Sequence, residues 1–234
     1  MTEGAVLAVF AHPDDAEIAA GGTIAKWCAA GRSVHLLVLT NGDRGSSDPA
    51  VDRAELARAR ARETVAAADV LGIETTTVIG MSDGELENGA EVRRHVVSAI
   101  RELRPVTLVT CDPTAWFLDD RYYNHADHRT AGVIALDSVF PGAGNPHFFP
   151  EHAAQGLTSH QIADVWLGIT GHPNHHENVT GHLATKLAAL ERHHSQVAGG
   201  MLGYFGEWIA KEAEQAGQAI GVRHAESFRR LDLS

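Results

Sequence analysis

The chain has 234 residues, 19 basic and 30 acidic side chains for a formal net charge of −11, 15 histidines and two cysteines. That length supports a hydrophobic core without covalent staples, and Cys28 and Cys111 lack the CxxC spacing of a zinc knuckle or a thiol redox pair. An acidic balance with no Lys/Arg cluster excludes a sequence-blind grip on nucleic acid or on an anionic membrane.

Met1-Thr2-Glu3-Gly4 carries no positive n-region, and the apolar run Ala5 to Phe10 is too short for a signal peptide or a spanning helix, so a cytoplasmic protein is expected. An unbroken run of that length suits a strand buried on both faces. It leads straight into His12-Pro13-Asp14-Asp15. Ala16 to Ala30 has helical composition and stops at Gly31; Val34 to Leu39 repeats the strand signal. Ala54 to Leu71 reads as helix ending at Gly72, Thr75 to Ile79 as a short β-branched strand, Glu91 to Leu103 as helix, and Val106 to Cys111 as a fourth strand. After Ala131 the alternation weakens. Phe140 to His160 reads as a long functional loop, Ile162 to Ile169 as a strand and Thr180 to Val197 as a helix.

Strands alternating with helices predict an α/β fold: a Rossmann-like, mostly parallel sheet with helices on both faces and a C-terminal elaboration, in one domain spanning residues 1–234. Chemistry in such sheets collects beyond the carboxyl ends of the strands. His12 to Asp15, Thr40 to Arg44, Met81 to Leu86 and Asp112 to His128 each follow a strand and should converge on one rim.

Adjacent aspartates at a buried strand end are costly unless a cation neutralises them. One carboxylate can bind the ion while its neighbour stays free beside a bound water. Far along the chain, His125 and His128 stand at i and i+3, neighbours on one face of a helix start, with Asp127 in reach as their orienting partner. Two histidines, one carboxylate and an open position suit a catalytic zinc site. The competing structural explanations are an Asp N-cap at Asp14 or Asp15 and an idle, solvated helix start at His125.

Ala11-His12-Pro13-Asp14-Asp15-Ala16-Glu17 with Gly21-Gly22-Thr23, and His125-Ala126-Asp127-His128-Arg129 with Gly132, resemble the two signatures of the LmbE-like (PIG-L) zinc-dependent N-acetylglucosaminide deacetylases. Thr40-Asn41-Gly42-Asp43, Asp83-Gly84-Glu85-Leu86, Arg104-Pro105 and His193-His194-Ser195-Gln196 support the resemblance nearly end to end. It implies Zn²⁺ on His12, Asp15 and His128, with Asp14 as general base and His125 stabilising the transition state, oriented by Asp127. The negative Asp127 beside it would favour His125 in its imidazolium form. It further implies substrate contacts from Arg60, with Arg62 as the alternative, from Asp83 and from His193. Asn178 departs from the pattern, since many relatives carry Asp there.

The reaction expected is zinc-dependent hydrolysis of the N-acetyl group of an N-acetylglucosamine-type amino sugar or glycoside, releasing acetate and a free amine. The alternatives are an amidase acting on a larger acyl-amine or thiol-sugar conjugate, and a non-catalytic metal-binding protein. Two histidines with a carboxylate also suit Fe²⁺, and a homo-oligomer is left open. His172, His175 and His176 read as a solvated loop.

Overall fold

Val6–Phe10 forms strand β1, whose residues alternate between two cores because successive side chains point to opposite faces of a sheet. Val6, Ala8 and Phe10 enter one cluster with helices α1 (Asp15–Ala29) and α2 (Arg53–Leu71); Leu7, Val9 and Ala11 enter the other with α3 (Ala90–Leu103) and α4 (Ala126–Asp137). This two-sided burial explains the unbroken apolar run. The computed structural model describes residues 4–118, 122–197 and 201–234.

Strands β2 (Val34–Thr40), β3 (Thr75–Met81) and β4 (Thr107–Cys111) are parallel to β1, in the order β3-β2-β1-β4. A short hairpin, β5 (Phe117–Leu118) with β6 (Tyr122–Tyr123), lies between β4 and α4. Strand β7 (Asp164–Gly168) extends the parallel sheet beyond β4. The C-terminal elaboration completes the same sheet: β9 (Ala225–Asp232) runs antiparallel to β7, and β8 (His175–Asn178) antiparallel to β9. The seven-strand order is therefore β3-β2-β1-β4-β7-β9-β8. The chain winds outward from β1 to β3 and then crosses to β4 on the other side of β1, which puts the topological switch point between the carboxyl ends of β1 and β4.

The expected helix over Thr180 to Val197 is two pieces, α5 (Leu183–Leu190) and α6 (His194–Val197), separated at the buried His193. Phe140 to His160 is not all loop: an irregular helical turn spans Ser138–Ala143 and a 3-10 helix spans Pro150–Gln155. Arg101 fastens this stretch by donating to the carbonyls of Gly142, Asn145 and Phe148 at 3.0, 2.9 and 2.9 Å. A further helix, α7 (Met201–Ile220), had no counterpart among the expected elements.

The Gly21-Gly22-Thr23 sequence has a packing cause. Lys186 on α5 and Glu226 on β9, both buried, form an ion pair at 2.6 Å that enters the side of α1. Glu226 accepts from the Gly22 and Thr23 amides at 2.9 and 2.7 Å, and Lys186 donates to the Ile18 carbonyl at 2.9 Å. A Cβ at position 21 would lie 2.9 Å from the Lys186 side chain, so only glycine admits the pair. Removing one partner of such a pair leaves a buried charge uncompensated, at about 3–5 kcal/mol.

Candidate metal centre

The carboxyl end of β1 delivers His12 and Asp15, and the first turn of α4 delivers His128. Donor atoms of these three lie within 4.8 Å of one another, although the two strings are more than a hundred positions apart. Asp15 stands at the centre: one oxygen is 3.0 Å from His128 Nε2 and the other 3.4 Å from His12 Nδ1. The outward nitrogens are occupied as well. His128 Nδ1 meets Asn124 Oδ1 at 2.9 Å, and His12 Nε2 meets Asp83 and Asp127 at 3.1 and 3.2 Å. This is how ligating imidazoles are held in general, the far N–H given to an oxygen and the near nitrogen turned to the ion. Borderline nitrogen and carboxylate donors in this number fit a zinc-type divalent ion.

A second, overlapping group joins His12, His125 and Asp127. Asp127, however, is already committed: its carboxylate accepts from the Gly84 amide at 2.7 Å and the Leu86 amide at 3.4 Å as well as from His12. That saturation makes it an anchor for His12. The Asp127 carboxylate makes no hydrogen bond to His125, although donor atoms of the two lie within 4.8 Å; Asp127 orients the ring through its backbone, its N–H donating to His125 Nδ1 at 3.2 Å. With Nδ1 accepting, the proton of the neutral ring sits on Nε2.

The electrostatics follow from this crowding. Burial disfavours a charged His12, yet Asp15, Asp127 and Asp83 outweigh it and lift the ring to about 12, so the pocket demands a cation. Asp15 is held well below the usual carboxylate range against its burial, by His128 and His12. Asp14 behaves oppositely: burial raises it to about 6, Arg60 resists and Asp15 adds to the rise. His125 is lowered by burial and by His12, with Asp127 opposing more weakly. The imidazolium expected from the sequence is therefore not favoured, because burial first and His12 second outweigh the pull of Asp127.

Asp14 is no N-cap. It occupies that position of α1, but its side chain accepts no capping hydrogen bond, and its backbone is left-handed at φ 102°. A non-glycine residue there stores strain, which collects at functional sites. Arg60 holds the segment from behind, donating to the Pro13 carbonyl at 2.7 Å and approaching Asp14 Oδ2 at 3.4 Å. It also donates to the Gly42 carbonyl at 3.1 Å, and side chains at Gly42 or Gly45 would run into its guanidinium. Arg62 is exposed on another side of α2, so Arg60 alone reaches the cavity. Asp43 fixes the neighbouring loop by accepting from the Asp83 amide at 3.0 Å.

His12, Asp14, Asp15, Ile18, Arg60, Asp83, Tyr122, His125 and His128 line one open cavity of about 250 Å³. His193 was expected to line it and does not. It is fully buried with Nε2 3.4 Å from Glu17, behind Asp14. Asn124 was the residue missed in the sequence; it precedes α4, and its buried side chain is fixed by donating to the Ala115 carbonyl at 2.8 Å while its Oδ1 meets His128 Nδ1. His175 and His176 lie away from the cluster on β8, against Trp166 and Ser227, and Asn178 binds the Thr180 amide at 2.9 Å.

Fold and cluster together define a Rossmann-like α/β domain with a candidate metal-binding group at its switch point. The family model described as PIG-L: GlcNAc-PI de-N-acetylase matches residues 7–139. The chain is 34% identical, over 96% of its length, to a diacetylchitobiose deacetylase of Thermococcus kodakarensis, of which it covers 82%. It is 33% identical, over 72% of its length and 62% of the relative's, to a 1D-myo-inositol 2-acetamido-2-deoxy-alpha-D-glucopyranoside deacetylase of Streptomyces avermitilis. The structure superposes on the N,N'-diacetylchitobiose deacetylase of Pyrococcus horikoshii with a TM-score of 0.90 at 30% identity, covering 98% of this chain and 84% of that one. The chain belongs to the PIG-L family of N-deacetylases.

Proposed function

We propose that this protein, read as a single domain, hydrolyses the N-acetyl group of an N-acetylglucosamine-type sugar or glycoside, giving acetate and a free amine. His12 Nδ1, one Asp15 oxygen and His128 Nε2 would hold a zinc ion. Zinc in such a site supplies a Lewis acid that polarises the acetyl carbonyl and makes water nucleophilic near neutral pH.

The chain's own residues do the rest. Asp14, with its carboxyl near 6, takes the attacking water's proton and passes it to the leaving nitrogen, and the Arg60 guanidinium keeps it aimed. His125 offers its neutral Nε2–H to the oxygen on which negative charge develops, its orientation set by the Asp127 amide. Asp83 and Arg60, both on the cavity wall, supply polar contacts for sugar hydroxyls.

One observation carries this reading: the carboxylate beside the ligand cluster makes no cap and has its pKa raised into the range of a working base. A protein that merely stored metal would have no use for it. The test is metal content measured together with acetate release from a panel of N-acetylglucosamine, diacetylchitobiose and N-acylated analogues with longer chains. Acetate released in proportion to bound zinc supports the proposal. Turnover only of the longer acyl groups would make the protein a broader amidase.

A further inference from the structure

The aromatic residues ahead of α4 fall on two faces of the β5–β6 hairpin. Its register pairs Phe117 with Tyr123 and Leu118 with Tyr122, and paired residues of an antiparallel ladder share a face. The first face packs ring against ring and guanidinium, while its aromatic residues stay more than half exposed to solvent. Phe117 and Tyr123 stand 5.7 Å apart between ring centroids, Trp116 and Tyr123 6.4 Å apart, and the Arg129 guanidinium lies 3.8 Å over Trp116. Arg129 follows the proposed ligand His128 on α4, so this packing fastens the hairpin to the helix that carries the metal group.

The other face turns Tyr122 into the cavity with the metal ligands. Half of this residue's surface is exposed, and among the described residues no aromatic ring stacks on it and no side chain binds its hydroxyl. Every other cavity wall except Ile18 is ionisable: His12, Asp14, Asp15, Arg60, Asp83, His125 and His128. A pyranose has the complementary surface, a rim of hydroxyls and a flat face of C–H bonds. The rim suits Asp83 and Arg60, and the C–H face requires a broad apolar wall of the kind an aromatic ring provides.

We infer that Tyr122 is the stacking platform for the pyranose ring that bears the acetamido group, and so a specificity-determining residue for cyclic amino sugars. The inference rests on the deacetylase reading above. The ring of Tyr122 acts by binding, in the ground state and the transition state alike, so its removal is felt in KM more than in kcat.

The test is steady-state kinetics of the zinc-loaded protein on N-acetylglucosamine and diacetylchitobiose, with Tyr122→Ala and Tyr122→Phe beside the wild type and metal content measured for each. Tyr122→Ala should raise KM about tenfold or more with kcat within about threefold and zinc unchanged, and Tyr122→Phe should bring KM back to within about twofold of wild type. An unchanged KM in Tyr122→Ala, a Phe variant as weak as the Ala variant, or a loss confined to kcat and zinc would each overturn the stacking role. Wild-type protein that releases no acetate from either sugar would overturn the deacetylase reading, and with it this inference, whatever stands at position 122.

Discussion

Two regions of this molecule are rich in histidine, and only one of them is built to hold a metal. At the rim beyond β1 and β4, His12 and His128 meet across Asp15, and both outward nitrogens are taken by Asn124, Asp83 and Asp127. On the antiparallel edge, His175 packs its ring 4.6 Å from Trp166 and pairs with Glu177 at 3.2 Å, while His176 bonds Ser227 at 3.0 Å. The Glu177 carboxylate also pairs with Lys26, so its charge is spent on a cation already there. A histidine becomes a ligand where carboxylates outnumber the cations and the far nitrogen is pinned, and composition cannot distinguish the two cases.

The sharpest way to break this contrast is at Asp14, which belongs to the rim and to no ligand group. Asp14→Asn should cut kcat by about 10²–10⁴-fold while zinc stays stoichiometric, as read by acetate release and metal analysis on one preparation. Equal loss of metal and activity would make Asp14 a ligand. The second test concerns pinning. Asn124→Ala frees His128 Nδ1 and should weaken zinc by about 10–100-fold, measured by chelator competition. An unchanged affinity would show that the imidazole needs no such support.

The pH profile gives a subtler effect. Asp14 works ionised, and its carboxyl is raised to about 6 by burial first, so activity is present above that pH and falls as pH drops through it. A divalent cation beside the group favours its ionised form, so the acid limb of kcat/KM should lie at or below pH 6. A limb above pH 7 would assign the profile to another group. The smallest expected effect comes from the edge: His175→Ala with His176→Ala should leave zinc stoichiometry and kcat as in wild type.

Why the sequence revealed some of this and concealed the rest has physical reasons. The β1 run and the strings after it were readable because a strand buried on both faces is apolar throughout and its end is where charge reappears. The Lys186–Glu226 pair was not, since its partners are 40 residues apart and both resemble ordinary surface charges. The same pair hides β9, whose Glu226, Arg229 and Arg230 break the alternation expected of a strand. His193 looked like a cavity residue because it sits in a family motif, but only the tertiary contact with Glu17 shows that it is buried. Asp127 lay next to His125 in sequence, yet its carboxylate turns to His12 because the Gly84 and Leu86 amides draw it there.

The central claim is that β1 and α4 together hold one ion, and anomalous X-ray scattering from zinc-loaded crystals tests it most directly. The account predicts a single strong peak about 2.0–2.2 Å from His12 Nδ1, an Asp15 oxygen and His128 Nε2. A peak placed instead among His172, His175 and His176, or none at the rim at full zinc occupancy, would contradict it.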